Sequence, residues 1–413
     1  MIEIKGKYAS AKIFTDDVEE EAVSQIKELL NQPFAKDSHP RFMPDVHAGK
    51  GCTIGTTMHI KEKVCPNLVG VDISCGMLCA KLPVKDIDFE KFDRIVHEKV
   101  PAGNNVHDKP VASFSELPDL KCWNSLKSNQ AYFLCSLGTL GGGNHFIEID
   151  KAKDGSLWLI IHSGSRNLGK TVCDYYMQKA QALHKGGKVR NEQERKELIE
   201  AYKREGRTSE IPDALKALSE KQKAVKEIQN KDLAVIEGYD LDDYLSDCAI
   251  LNRYAKKNRE TMAEQILSAY GWHLSDLEFF HTIHNYIDTE ARILRKGAIS
   301  AKKGEKLIIP LNMRDGCIIA YGKGNPDWNE SGPHGAGRKM SRSAAKRELD
   351  LEEFRETMKG IYSTTVDEST IDEAPFAYKD SVAIIENVGE TVEILEIIKP
   401  VYNFKAAELN GRI

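Results

Sequence analysis

The sequence predicts an α+β fold with central β-sheets and surrounding helices, and three features point to it. Short apolar, β-branched runs bounded by glycine turns read as strands. Amphipathic stretches of helical period fall among them without a regular βαβ rhythm. Residues 171–269 are rich in Lys, Glu, Gln, Ala and Leu and read as several amphipathic helices. The 413 residues, 41% of them hydrophobic, are enough for a large core. The chain reads as one domain, 1–413, with 171–269 as a helical insertion within it.

Taken in order, residues 1–34 hold a short strand and then a helix over 17–31, because Ala22, Ile26, Leu29 and Leu30 share one face. RFMPDVHAGKGCTIGTTM (41–58) reads as a loop followed by a strand, with Asp45 and His47 ahead of Gly49, Gly51 and Gly55. LVGVDISCGMLCAKL (68–82) reads as a buried strand interrupted by a turn. A charged Asp72 inside such a run is costly unless paired or metal-bound. Residues 89–100 predict a helix, and 101–123 have no clear period. In FLCSLGTLGGGNHFIEID (133–150) a triple glycine leads into Asn144 and His145. A strand follows in which Phe146, Glu148 and Asp150 alternate with Ile147 and Ile149. The apolar strand 157–161 ends in the turn HSGSRNLGK. Within 171–269, GKVR and EGRTSEIPDA are loop signals, and the charge-dense stretch 191–232 reads as a helical hairpin with mostly solvated charges. Beyond it, 306–311 predicts a strand and 344–358 a charged helix, and the end alternates strand and helix patterns.

Composition narrows the class. The net charge of −5 makes no sequence-wide electrostatic case for nucleic acid, so any such contact must come from a local basic groove. The N-terminus carries no signal or transit pattern, and no apolar run is long enough for a membrane span. Nine cysteines at irregular spacing, without a CxxC pair, argue against a disulfide framework and for a reducing cytoplasm.

Five residues carry metal-ligand chemistry in similar settings, at strand ends or beside glycine turns: Asp72, Cys75, His145, His162 and His284. Carboxylate, thiolate and imidazole together suit a divalent transition metal, and on softness alone Zn or Co is favoured. Taken singly, Cys75 reads as a small buried hydrophobe, and His284 reads like His184, His273 and His281, as an ordinary histidine. NPDWNESGPHGAGR (325–338) sets His334 among glycines, with Arg338 four residues on. Glycines let the backbone approach a ligand, arginine adds a bidentate phosphate fork, and a neutral imidazole is a competent nucleophile toward phosphorus. GGGNH, HSGSRNLGK, RDG and HGAGR match neither a Walker A nor a Rossmann signature. Together with the ligand set they point to metal-assisted phosphoryl or nucleotidyl transfer.

PDVHAGKG, VGVDISCGM, LGTLGGGNHFIE, HSGSRNLG, the His284–Asn285 pair and HGAGR together resemble the RtcB family of RNA ligases. That family joins RNA 3′-phosphate or 2′,3′-cyclic phosphate ends to 5′-hydroxyl ends. The resemblance implies two Mn²⁺ ions on Asp72, Cys75, His145, His162 and His284, with Cys75 as the bridge. It implies that His334 attacks GTP and carries GMP as a phosphoramidate. Asn144, His145, Glu148, His284 and Asn285 match nucleotide-side positions, and Gly335, Ala336, Gly337 and Arg338 would wrap the guanylate. Arg166 and His47 are candidates for holding RNA phosphate. The substrates implied are tRNA or rRNA fragments with such ends, handled by a monomer.

Two segments depart from the family pattern. The family's IPGSMG is here IPLNMRDG (309–316), which puts Pro310, Asn312 and Met313, with Arg314 and Asp315, at the nucleotide. The family's terminal Val-Lys-Gly corresponds to Phe404, Lys405 and Ala406, so the guanine-contacting lysine is Lys405. Both changes resemble a bacterial side branch linked with a release-factor-like accessory protein. Two other readings compete. One is a metal-dependent phosphoesterase that opens cyclic phosphates without GTP. The other is a non-catalytic RNA-end or ribosome binder that uses the 171–269 block.

Overall fold

The computed structural model describes residues 1–185, 187–225 and 230–406. Two sheets organise it. In the six-stranded sheet the order is Ile2–Lys5, Ser10–Ile13, Arg41–His47, Ile54–His59, Ile293–Lys296 and Asn285–Asp288. Only the Ser10–Ile13 and Arg41–His47 pair is parallel. The seven-stranded sheet is antiparallel throughout, in the order Phe279–Ile283, Gly76–Lys81, Leu157–Ser163, Phe146–Lys151, Val392–Lys405, Gly316–Gly322 and Lys306–Asn312. Its two outer strands approach each other, and Ile308 N donates to Thr282 Oγ1 at 3.1 Å, so the sheet is nearly closed.

Period-two patterning builds this sheet's two cores. Leu78, Ala80, Ile147, Ile149, Leu159 and Ile161 face helices Phe89–Lys99 and Tyr239–Ser268, packing on Phe92, Val96, Met262 and Ile266. Met77, Cys79, Phe146, Trp158, Ile160, Cys317 and Ile398 fill the other face. The mixed architecture agrees with the α+β expectation, and the Ala22, Ile26, Leu29 and Leu30 face of helix Glu20–Leu30 is buried as its period predicts.

Several sequence expectations need correction. Residues 41–47, expected as loop, form a strand whose side chains are almost all buried, so they show no period-two alternation. Pro44 also interrupts the ladder, whose register shifts between Phe42 and His47. In 68–82 only Gly76–Lys81 is strand. Asp72 therefore sits in the turn before it, where Gly70 (φ +100°) and Ser74 (φ +64°) bend the chain. The HSGSRNLGK turn is helical from Arg166, at the start of Arg166–Lys185. The GKVR loop signal falls in helix Gly187–Arg204, and Gly186 lies outside the described residues. The expected 344–358 helix is two, Arg342–Glu348 and Leu351–Thr357, because Asp350 caps the second by accepting from Glu353 N.

Helices Gly187–Arg204 and Ile211–Val225 lie side by side as the charge pattern predicts, turning at Gly206. Helix Tyr239–Ser268, in contrast, is deeply packed: Leu251, Tyr254, Asn258, Arg259 and Met262 are fully buried. Asn258 ties the 138–139 loop to the end of strand Leu157–Ser163. Its Oδ1 accepts from Gly138 N and Thr139 N, and its Nδ2 donates to Thr139 O, Ser163 Oγ and Gly164 O. Among the described residues no helix is long and apolar enough to cross a membrane.

Candidate active site

The strand ends bring the five ligand candidates to one point. Cys75 precedes strand Gly76–Lys81, whose neighbours carry His162 on one side and lead into His284 on the other. Cys75 Sγ lies 3.3 Å from His162 Nε2 and 3.4 Å from His145 Nε2. His162 Nε2 is 3.4 Å from His284 Nε2, and His145 Nε2 is 3.1 Å from Asp72 Oδ2. The result is two overlapping triads, Cys75–His162–His284 and Asp72–Cys75–His145, each with its ligand atoms within 4.8 Å of one another and Cys75 common to both.

The surroundings prepare these groups to bind a cation. His145 Nδ1 donates to Leu140 O and His162 Nδ1 to Asn144 O, which turns each Nε2 lone pair inward. Burial, reinforced by the neighbouring histidines, holds His162 and His284 well below the usual imidazole range, so both are neutral. Burial raises Asp72, but the hydrogen bond and charge of His145, the Arg166 charge and the Ser165 amide together outweigh this and hold it below its ordinary value. Burial and the Asp72 charge push the Cys75 thiol up, and a divalent cation bound at the shared sulfur would reverse that push. Three imidazoles, two of them anchored by carbonyls behind them, with a thiol and a carboxylate fit a pair of transition-metal ions.

His334 follows strand Ser331–Pro333 and is aligned by Asp45. Asp45 is fully buried, and its Oδ2 lies 2.6 Å from His334 Nδ1 while accepting from His334 N at 3.0 Å and Gly335 N at 3.3 Å. With Nδ1 held by the carboxylate, Nε2 is the free nitrogen. The His334 and His284 rings are 5.0 Å apart, so this nitrogen sits beside the metal-ligand group.

Gly337 has φ +74°, and a Cβ there would lie 2.4 Å from the Asp45 carbonyl oxygen. Gly337→Ala must therefore displace the strand that holds Asp45. The expected result is about a 100-fold loss of turnover, since displacements of this size cost that much. Steady-state kinetics beside an unchanged metal content check it.

A cavity of about 230 Å³ opens in front of His334. Asn144, Glu148, His284, Pro310, Asn312, Met313, His334, Gly335, Ala336, Gly337, Arg338 and Lys405 line it, and so do His47 and His162. Asp72, Cys75 and His145 do not line it; Cys75 and His145 reach it through their contacts with His162. Asn285 does not line the cavity; its Oδ1 accepts from Gly297 N and its Nδ2 donates to Asp72 O, so it braces the ligand turn. Arg166 does not line it either, because its guanidinium donates to Thr139 Oγ1 and Gly103 O. Met313 is half in the cavity and half in an apolar cluster with Phe354 and Met358. Asn312 and Arg314 both bind Asp315, whose carboxyl they and Ser381 hold at about 2 against the upward push of burial.

A family model described as tRNA-splicing ligase RtcB matches residues 25–121 and 120–406. The chain belongs to the RtcB family. The RNA-splicing ligase RtcB of Escherichia coli K12 is 31% identical, over 95% of this chain and 96% of that protein. A second Escherichia coli relative, RNA-splicing ligase RtcB2, is 26% identical over 92% of each chain. The tRNA-splicing ligase RtcB of Aeropyrum pernix is 25% identical, over 90% of this chain and 89% of that protein.

Several residues of this RtcB-family site were not singled out by sequence reasoning. Asp45 carried the signal already used for Asp72, a carboxylate among apolar neighbours. Arg259, fully buried, donates to Ser74 O and Ser163 O beside the thiol, and burial lowers it to about 10. Glu373, in an unremarked turn, gathers Lys405 (3.0 Å), Arg338 (3.1 Å), Arg342 (3.2 Å) and the Tyr378 hydroxyl. Burial alone would raise Glu373, but these cations hold it at about 2, from an ordinary 4.5. That depression is worth about 3 kcal/mol of stability. It is fully present above pH 4.5 and lost as pH falls towards 2. Glu373→Gln should therefore be less stable than the parent by about this much at pH 7, with the gap closing between pH 4.5 and 2. Denaturant unfolding across pH checks both statements.

Proposed function

We propose that this RtcB-family chain is a GTP-dependent RNA ligase that uses two Mn²⁺ ions. It joins RNA 3′-phosphate or 2′,3′-cyclic phosphate ends to 5′-hydroxyl ends. The observation that carries this reading is His334, oriented by a fully buried carboxylate and set beside a double metal-ligand cluster at a cavity wall. His334 Nε2 attacks the α-phosphorus of GTP, forming an N–P bond as the bond to pyrophosphate breaks. Asp45 balances the positive charge that then develops on the ring. The RNA 3′-phosphate takes the guanylate from His334, and the 5′-hydroxyl attacks the activated end as GMP leaves. Asp72, Cys75, His145, His162 and His284 would hold the ions, which supply charge neutralisation at the reacting phosphates. Glu148, Asn144, Lys405, Arg338 and the 310–313 segment would seat the nucleotide.

The test uses a 5′-hydroxyl RNA paired with one ending in 3′-phosphate and, separately, with one ending in 2′,3′-cyclic phosphate, with Mn²⁺ and with or without GTP. Joining that requires GTP is the expected result. Opening of a cyclic phosphate without GTP, and no joining, would favour the phosphoesterase reading.

A further inference from the structure

Behind the cavity wall, the interior of the seven-stranded sheet holds a second group of buried acids. Glu148 and Asp150 point to the same face of strand Phe146–Lys151, and their cross-strand partners Ile160 and Trp158 belong to the apolar core there. Cys317 enters that core from strand Gly316–Gly322, and Cys79 shares it. Glu148 is 2% exposed and Asp150 and Cys317 are 0% exposed. One ligand atom from each of Glu148, Asp150 and Cys317 lies within 4.8 Å of the others. Glu148 accepts from Asn403 Nδ2 and, at 3.8 Å, from the Cys317 thiol, whereas Asp150 receives no hydrogen bond from outside the group among the described residues and faces only Glu148 and Cys317 within it. The ammonium groups whose charges act on these carboxylates are engaged elsewhere, Lys405 by Glu373 and Lys399 by the Asp315 carbonyl.

Acids packed among apolar side chains, with their carboxyl and thiol groups facing one another, need a cation or must keep their protons. Burial and mutual repulsion do push both Asp150 and Cys317 well above their ordinary ranges. A thiolate with two carboxylates is a donor set for a borderline divalent ion such as Zn²⁺ or Co²⁺, and a poor one for Mg²⁺ or Ca²⁺. We propose that Glu148, Asp150 and Cys317 bind a further divalent transition-metal ion, separate from the Cys75 centre, inside the seven-stranded sheet. Glu148 also lines the cavity, so this ion would fix the position and charge of the wall from behind. The site does not depend on the ligase reading.

Cobalt distinguishes the two centres, because thiolate bound to Co²⁺ gives its own charge-transfer absorption. The full chain, stripped of metal and titrated with Co²⁺, is compared in a Cys75→Ser background, where the first centre has lost its sulfur. The expected result is that the thiolate–cobalt band persists in Cys75→Ser. It should disappear in Cys75→Ser/Cys317→Ser and in Cys75→Ser/Asp150→Asn, and Cys317→Ser alone should bind one ion per chain less than the parent. Cys317→Ser changes a single atom and so tests the site even where Asp150→Asn does not fold. Absence of the band in Cys75→Ser, or its survival without Cys317, would overturn the proposal and leave a proton-sharing carboxyl pair. Loss of the band with Cys79→Ser but not with Cys317→Ser would overturn it too. Failure of metal to bind at the Cys75 centre leaves these comparisons intact, so the two centres fail separately.

Discussion

Asp45→Ala and Asp45→Asn should lower the rate of the proposed guanylyl transfer to His334 by about 10²–10⁴-fold, the usual range for removing the charged partner of a reacting histidine. The reason is local. One oxygen of Asp45 receives the His334 ring and two backbone N–H groups, so it sets both the tautomer and the position of the loop. The asparagine keeps the shape but not the charge that balances the imidazolium. Single-turnover labelling with GTP measures this, with metal content and melting temperature recorded beside it. A purely structural role would lower stability and leave the labelling rate of the folded fraction near that of the parent, which would refute the assignment.

The second large effect is expected at Cys75. Its sulfur belongs to both ligand triads, so Cys75→Ala removes a donor from each position at once. On the proposed two-ion reading, metal binding at both positions should be lost or greatly weakened, and RNA joining should fall to background. The protein should still fold, because a buried cysteine contributes little more than its small apolar volume. Metal analysis after dialysis checks this. A full metal complement in the variant, with turnover intact, would mean that the ions are held by other residues.

How much of this was readable from residues alone differs between ligands and supports. Asp72, Cys75, His145, His162 and His284 stand out as a set because most lie at a glycine turn or strand end, where side chains converge. Their convergence then follows from sheet order, since strands Gly76–Lys81 and Leu157–Ser163 are neighbours. The supporting partners left weaker traces. The Asp45–His334 contact spans 289 positions, and the Lys405–Glu373 pair joins the last described strand to a short turn. Pairings of that kind depend on three-dimensional closure, which no local period encodes. Strand Arg41–His47 was missed for a related reason, because burial on both faces erases the alternation that marks a half-exposed strand. Composition marked 171–269 as helical, yet only packing shows that Asn258 and Arg259 of helix Tyr239–Ser268 support the ligand loops.

The most direct test of the account is covalent capture. The protein is incubated with α-labelled GTP and Mn²⁺, denatured, and examined for bound label beside the His334→Ala variant. The expected adduct is labile to acid and stable to alkali, as a phosphoramidate is, and is absent from the variant. No adduct from folded, metal-loaded protein, or an adduct that survives in His334→Ala, would contradict this expectation.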